Sequence, residues 1–266
     1  RLASGYLARR EHFARALGCA VPELVHRLAE AMDFPQTPPW VIDAPCQEVV
    51  ETDVDLYRLP IPRYHPLDGG PYITAGVAVI RDPDYGRNLC FHRMMVRDAR
   101  HFTVRVVEGR GTDTAWRKAP EGLPIAVCIG LPPHVLLAAS MSPPKGVDES
   151  GIAQALGHTP LARAVTAPLE VFAEAELVLE GVLTQTLDIE GPFPDLTGTM
   201  DGQREQPVFR VDVLTHRKAP IFHALLPAGL EHKNLMGMPR EPTIFAEVSK
   251  VVKCTGVAIT PGGCSW

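Results

Sequence analysis

The stretch "PYITAGVAVIRDPDYGRNLCFHRMMV", residues 71–96, decides how the chain folds. Residues 71–80 mix aromatic, β-branched and small apolar side chains and read as a strand. "RDPDYG", residues 81–86, holds the Asp, Pro and Gly that turns use for backbone reasons. "NLCFHRMMV", residues 88–96, then reads as the returning strand.

Working outward, "FTVRVVE" at 102–108 suits a third strand and "LPIAVCIG" at 123–130 a buried one. "PPHVLLAASM" at 132–141 reads as a short helix opened by proline, and a loop at 142–149 leads into a helix over 149–156. "AELVLEGVLTQTLDI" (175–189) and "PVFRVDVLTHR" (207–217) read as strands. Helices follow at 230–237 and 241–252, with a last strand "GVAIT" at 256–260. Upstream, 8–18 has helical periodicity ending at Gly18, and Pro22 opens a second helix over 22–32. Residues 34–71 are proline-rich with little periodicity and read as a linker or extended crossing segment. Antiparallel pairs in the middle, flanked by helices, predict an α+β protein with a β-barrel or sandwich at its centre.

With 266 residues, 45% of them hydrophobic, the chain can bury a real core. A net charge of −5 gives no reason to propose nucleic acid as partner. No apolar run approaches the roughly 20 residues a membrane span needs. The chain begins with Arg1, carries no signal-peptide pattern and reads as part of something longer. Its six cysteines are scattered without a C-x-x-C pair, as free thiols in a reducing cytoplasm would be.

On a strand over 88–96, Leu89, Phe91, Arg93 and Met95 share one face. Three of them are large and apolar, so that face is interior and a guanidinium on it needs a partner. Arginine's planar fork suits a carboxylate, from the protein or from a substrate. At a rim, the same side chain would instead cover apolar surface with its stem. Asn88 faces away from Arg93 by strict alternation and suits turn punctuation. Glu149 precedes a helix, where an acid favours the dipole. Both are also oxygen donors fit for Mg²⁺ or Mn²⁺. "DIEGPFPDLTG", residues 188–198, sets Glu190 and Asp195 on either side of Pro192 and Pro194. Such a loop either holds two acids at a set separation or is a surface turn. "EGRGTDTAW", residues 108–116, is a weak phosphate-loop signal.

Taken together, "DGGPYITAGVAVIRDPDYGRN", the Arg five residues after that Asn, "IGLPPHVLLAASM", "KGVDE", "LEGVL" and "EGPFPDLTG" resemble the UbiD-type decarboxylases over roughly residues 40–260. The resemblance implies a central split β-barrel like that of flavin reductases, and α/β terminal domains largely missing from this chain. It divides the chain into a helical remnant at 1–40, a flavin-binding barrel at 41–228 and the start of a C-terminal domain at 229–266. It implies (de)carboxylation of an aromatic or α,β-unsaturated acid through a covalent adduct with prenylated FMN.

In the roles it implies, Arg93, Glu190 and Asp195 are catalytic. Arg93 orients the system and pairs with Glu190, and Asp195 shuttles the proton, its pKa raised by apolar walls. Asn88, Leu89, Phe91, His92, Arg93, Ser140, Met141 and Glu149 contact the cofactor, and Asn88 and Glu149 bind Mn²⁺ or Mg²⁺, with K⁺ as a further ion. The family's third metal ligand is a histidine about eighteen residues after the arginine. Here "VVEGRGTDTAW" (106–116) has none, so Glu108 or Asp113 substitutes, fewer side chains hold the ion, or flavin binding is lost. Loss would leave a non-catalytic subunit or binding module. An ordinary FMN reductase ranks below both, since no nicotinamide fingerprint is visible. Ile73, Met94, Met141, Phe193 and Leu225 are candidate substrate-pocket residues, apolar as an unsaturated acid would need. A homodimer or homohexamer supplied by a prenyl-flavin synthase completes the implied picture.

Overall fold

The computed structural model describes residues 1–260 and 262, so Cys264 lies outside the described residues. Nine strands form one sheet. They are β1 (Val49–Glu51), β2 (Tyr72–Ile73), β3 (Val77–Asp82), β4 (Gly86–Phe91), β5 (Met94–Val96), β6 (His101–Val104), β7 (Leu123–Ile129), β8 (Leu177–Glu190) and β9 (Arg204–His216). Their order is β2-β5-β6-β9-β8-β7-β3-β4, with β1 also on β9, and every ladder is antiparallel. The longest ladder, β8 on β9, runs from Leu177↔His216 to Glu190↔Arg204 and is broken by bulges. At one bulge a Cβ on Gly181 would lie 2.0 Å from the Arg210 carbonyl oxygen, so only glycine lets the strands approach.

The sheet curls. β4 is at one edge and β5 lies second from the other, yet only His92 and Arg93 join them. The chain covers at most about 3.6 Å per residue, so the two ends of the sheet are brought close together. Among the described residues no ladder pairs β2 with β4, so the expected barrel is not closed.

Alternation then sorts side chains into two cores. Val77, Val79, Leu89, Ala126, Cys128 and Val178 face out, against α1 (Arg10–Ala16), α2 (Leu24–Asp33), α4 (Pro133–Ala139) and α5 (Glu149–Leu156). Ala78, Ile80, Met94, Phe102, Ile125, Leu179 and Phe209 fill the curl. The remaining helices are α3 (Gly111–Arg117), α6 (Leu230–Gly237) and α7 (Glu241–Ser249). No described helix is long and apolar enough to cross a membrane.

Several expected elements differ. Residues 71–80 and 88–96 are each two strands, not one. Between β2 and β3, the Thr74 hydroxyl takes the Leu225 N–H and bonds the Tyr64 hydroxyl. Between β4 and β5, the His92 ring turns to the Arg105 carbonyl. One continuous alternation from Leu89 to Met95 therefore does not hold. The third strand stops at Val104 because Val106 N donates to the Gln206 side chain rather than to a ladder. Residues 34–71 are more than a linker: they supply β1 and bury Cys46, Val54 and Leu56. The last helix ends at Ser249, and 256–260 forms no strand; Ile259 N donates instead to Glu241 at the start of α7. The described cysteines are free thiols.

Candidate active site

Arg93 occupies the two-residue link between β4 and β5, and Glu190 is the last residue of β8. Directly after Glu190 the chain turns at Gly191, whose φ of 96° is open to glycine and costly for other residues. A short hairpin follows, pairing Phe193–Pro194 with Met200–Asp201. The segment at Gly69 passes so near that a Cβ there would sit 2.2 Å from the Gly191 carbonyl oxygen, and Gly69 N donates to Pro192 O at 2.8 Å.

This backbone brings one arginine against two acids. Arg93 Nε donates to Glu190 Oε1 at 2.8 Å and Nη2 to Oε2 at 2.9 Å. Nη2 also donates to Asp201 Oδ2 at 2.8 Å. The Tyr72 hydroxyl donates to Glu190 Oε1 at 3.0 Å. Glu190 is fully buried and the Arg93 side chain is 14% exposed, so the fork pairing works in a largely dry setting. Phe193 closes the floor: its ring lies 4.0 Å from that of Tyr72 and 5.5 Å from the Arg93 guanidinium carbon. Burial opposes the Arg93 charge, but its bonds to Glu190 and Asp201 outweigh this and raise its pKa. Burial likewise opposes the Asp201 carboxylate, and Arg93, Arg204 and Arg105 together pull its pKa down. Burial and then the Glu190 charge raise that of Tyr72.

Asp195 is elsewhere. It lies exposed at the hairpin tip, where Oδ1 accepts from Leu196 N at 2.7 Å. Asp201, not Asp195, is the second acid on Arg93, and among the described residues no apolar walls enclose Asp195. The Asp195 charge reaches His232 on α6. Burial pushes His232 down to about 4, and the Asp195 charge acts against that. Its Nδ1 accepts from Ala228 N at 3.1 Å.

A second polar group lies along β4. Glu149, first residue of α5, is buried and its Oε2 accepts from Leu89 N at 3.1 Å; burial pushes its carboxyl up to about 7. A Cβ on Gly111 would lie 2.8 Å from Asn88 Oδ1, so glycine keeps that oxygen uncovered. His92 Nδ1 donates to Arg105 O at 3.0 Å, which leaves Nε2 to accept from the Thr112 hydroxyl at 2.9 Å. Burial holds His92 down to about 4 and the adjacent Cys90 thiol up to about 12. Glu108 is exposed and pairs with Arg117 at 3.5 Å. Asp113 pairs with Arg117 at 3.0 Å and accepts from Gly109 N. Neither joins Asn88 and Glu149, and among the described residues no three His, Cys, Asp or Glu side chains converge on a metal position.

Of the other expected contacts, Leu89 and Met141 are buried, Phe91 is half-buried, and Ser140 Oγ donates to Leu136 O at 2.7 Å at the C-terminal end of α4. The apolar pocket candidates fall in three packed clusters. Ile73 and Met94 belong to the core inside the curl, Met141 and Leu225 to the helical core, and Phe193 to a small cluster with Tyr72 and Met95.

The family model for the UbiD 3-octaprenyl-4-hydroxybenzoate carboxy-lyase Rift-related domain matches residues 41–230. The chain belongs to the UbiD family. Among UbiD relatives, the anhydromevalonate phosphate decarboxylase of Methanothermobacter thermautotrophicus is 42% identical over 99% of this chain. That of Methanocaldococcus jannaschii is 38% identical over 98%. The chain spans 63% of the length of each. In solved structures, an evolved dimeric form of the UbiD-class enzyme HmfF from Pelotomaculum thermopropionicum, in complex with prFMN, matches with a TM-score of 0.94. It is 36% identical over 98% of this chain and 64% of its own. The apo 3,4-dihydroxybenzoic acid decarboxylase AroY of Klebsiella pneumoniae matches at 0.92, with 29% identity over 99% of this chain and 60% of its own.

Sequence reasoning did not find Tyr72, Asp201, Arg204 or Arg105. Asp201 follows Glu190 by eleven positions and reaches Arg93 only because the hairpin folds back, and two-residue strands give no periodic signal.

Proposed function

We propose that this chain carries the flavin-binding and catalytic part of a UbiD-type carboxy-lyase acting on an unsaturated carboxylic acid. The observation that carries the reading is the buried Arg93–Glu190 pair in a chain of that family. The two curated relatives named above, alike over nearly the whole chain, favour an alkenyl acid that bears a phosphate, such as anhydromevalonate phosphate, over an aromatic one. The curled, unclosed sheet is taken as the split barrel of flavin reductases. A homodimer is the assembly, by likeness to the dimeric HmfF form, with cofactor supplied by a prenyl-flavin synthase.

Prenylated FMN, when bound, supplies the electron sink that loss of CO₂ from an unsaturated carbon requires. Arg93 orients the site, anchored by Glu190 and Asp201 on one side of its fork. Tyr72 holds Glu190 in the geometry that the arginine needs. Asp195 delivers the proton that replaces CO₂. Phe193, against Tyr72 and Arg93, keeps water from the pair. Asn88 and Glu149 would hold a Mn²⁺ or Mg²⁺ ion. Both offer oxygen, Gly111 leaves the Asn88 side open, and a divalent ion would favour the charged form of a carboxyl held near 7 by burial.

The test uses full-length protein made with and without a prenyl-flavin synthase. Modified-flavin absorbance and CO₂ release from anhydromevalonate phosphate are expected only with the synthase. The second reading, a relative without flavin, is favoured by Glu108 and Asp113 being engaged by Arg117 rather than by Asn88 and Glu149. Native mass spectrometry decides it: stoichiometric flavin excludes that reading, and reproducible absence supports it.

A further inference from the structure

The face that carries Arg93 holds more positive charge than its acids neutralise. Arg105 N donates to Arg93 O at 3.0 Å, continuing the ladder in which Met94 opposes Val104. Residues directly opposed across antiparallel strands share a face, with Cβ atoms about 5 Å apart. Arg93 and Arg105 are therefore a like-charge pair, and Arg204 opposes Glu190 in the same way two ladders over. Arg93 is answered by Glu190 and Asp201, and Arg204 by Asp201. No carboxylate pairs with Arg105 among the described residues; its Nη1 donates to the Val106 carbonyl at 2.8 Å. Three guanidinium groups thus face two carboxylates at a half-buried place. Burial first, then the charges of Arg204 and Arg93, press the pKa of Arg105 downward.

Like charges opposed across neighbouring strand ends cost stability, and the Asp201 and Glu190 charges offset the Arg204 and Arg93 repulsion at Arg105 only in part. A group with several anionic oxygens would relieve the repulsion and fill the open fork. We propose that Arg105, backed by Arg204, is the seat for a second anionic group of the substrate, a phosphate ester separate from the carboxylate that leaves as CO₂. The inference rests on the decarboxylase reading above for the identity of the substrate, and on the opposed arginines for the anion.

The test is made on the full-length protein with inorganic phosphate as the probe. Thermal unfolding is followed against phosphate concentration for the wild type and for Arg105→Met. The wild type is expected to be protected, and the variant to need about tenfold more phosphate for the same protection, the loss of one charge-assisted contact. Without phosphate, the variant's midpoint is expected to hold or rise, whereas loss of a purely structural arginine would lower it. Arg105→Met is also expected to lower the preference for anhydromevalonate phosphate over its dephosphorylated acid by about 10–100-fold. Equal loss on both acids, or phosphate protection identical in the two proteins, overturns the proposal. So does a fall in FMN affinity, read by flavin fluorescence, with the preference unchanged, since that gives the arginine to the flavin phosphate. If the wild type acts on neither acid but loses its phosphate protection in Arg105→Met, the anion seat stands and the decarboxylase reading falls.

Discussion

Arg93 and Glu190 stand 97 positions apart in the chain, yet share two hydrogen bonds of 2.8 and 2.9 Å, with Glu190 fully out of water. A carboxylate placed so deeply depends on its partner. Arg93→Ala is expected to cost on the order of 3–5 kcal/mol of stability, because it strands a buried charge. Glu190→Gln leaves Arg93 its bond to Asp201 and some access to water, so it is expected to cost less. Chemical denaturation of both variants checks this, and equal losses would contradict it.

Gly69 and Gly191 set the approach of two backbone segments under that pair. Gly69→Ala places a carbon against the Gly191 carbonyl and is expected to cost on the order of 1–3 kcal/mol, even though it adds apolar surface. A melting temperature equal to the wild type's would show that the segments can separate freely.

The two acids beyond Glu190 are expected to behave differently. Asp201→Asn loses a charge-assisted bond to Arg93 and should cost roughly 1–3 kcal/mol, with activity reduced through misorientation. Asp195→Asn lies on an exposed tip and should change stability by no more than about 0.5 kcal/mol while stopping proton delivery. Denaturation curves beside solvent-deuterium incorporation into product separate the cases. The opposite pattern would make Asp201 the proton donor.

Acid should destabilise the protein through two histidines. Burial lowers His92 and His232 to about 4, from an ordinary value near 6.5. Between those values the unfolded chain binds protons that the folded one refuses. Their contribution is therefore complete above about pH 6.5 and is lost as pH falls toward 4, each by at most roughly 3 kcal/mol. His92→Gln should flatten the fall in stability between pH 6.5 and 4. An unchanged slope would show that His92 does not carry it.

Much of the fold was legible where strands are long. β7, β8 and β9 announce themselves by extended apolar or alternating runs, and α5 by its acid at the start. What sequence alone could not show is where the chain leaves one strand for another. His92 breaks 88–96 through a hydrogen bond to the carbonyl of Arg105, a residue just past the end of β6 that periodicity cannot align with it. The site follows the same division. Motifs lead to Arg93 and Glu190 because each sits in a distinctive segment. Asp201 and Arg105 reach the arginine through a hairpin register and a cross-strand pairing, which are tertiary facts. The pocket candidates were chosen for being apolar, and that property equally describes the cores in which they lie.

The most direct measurement is CO₂ release from anhydromevalonate phosphate by the full-length protein carrying prenylated flavin, compared with Arg93→Ala and Glu190→Gln proteins that retain flavin. A fall on the order of 10³-fold or more is expected for each. Wild-type rates in both variants would contradict the assignment of this ion pair to catalysis.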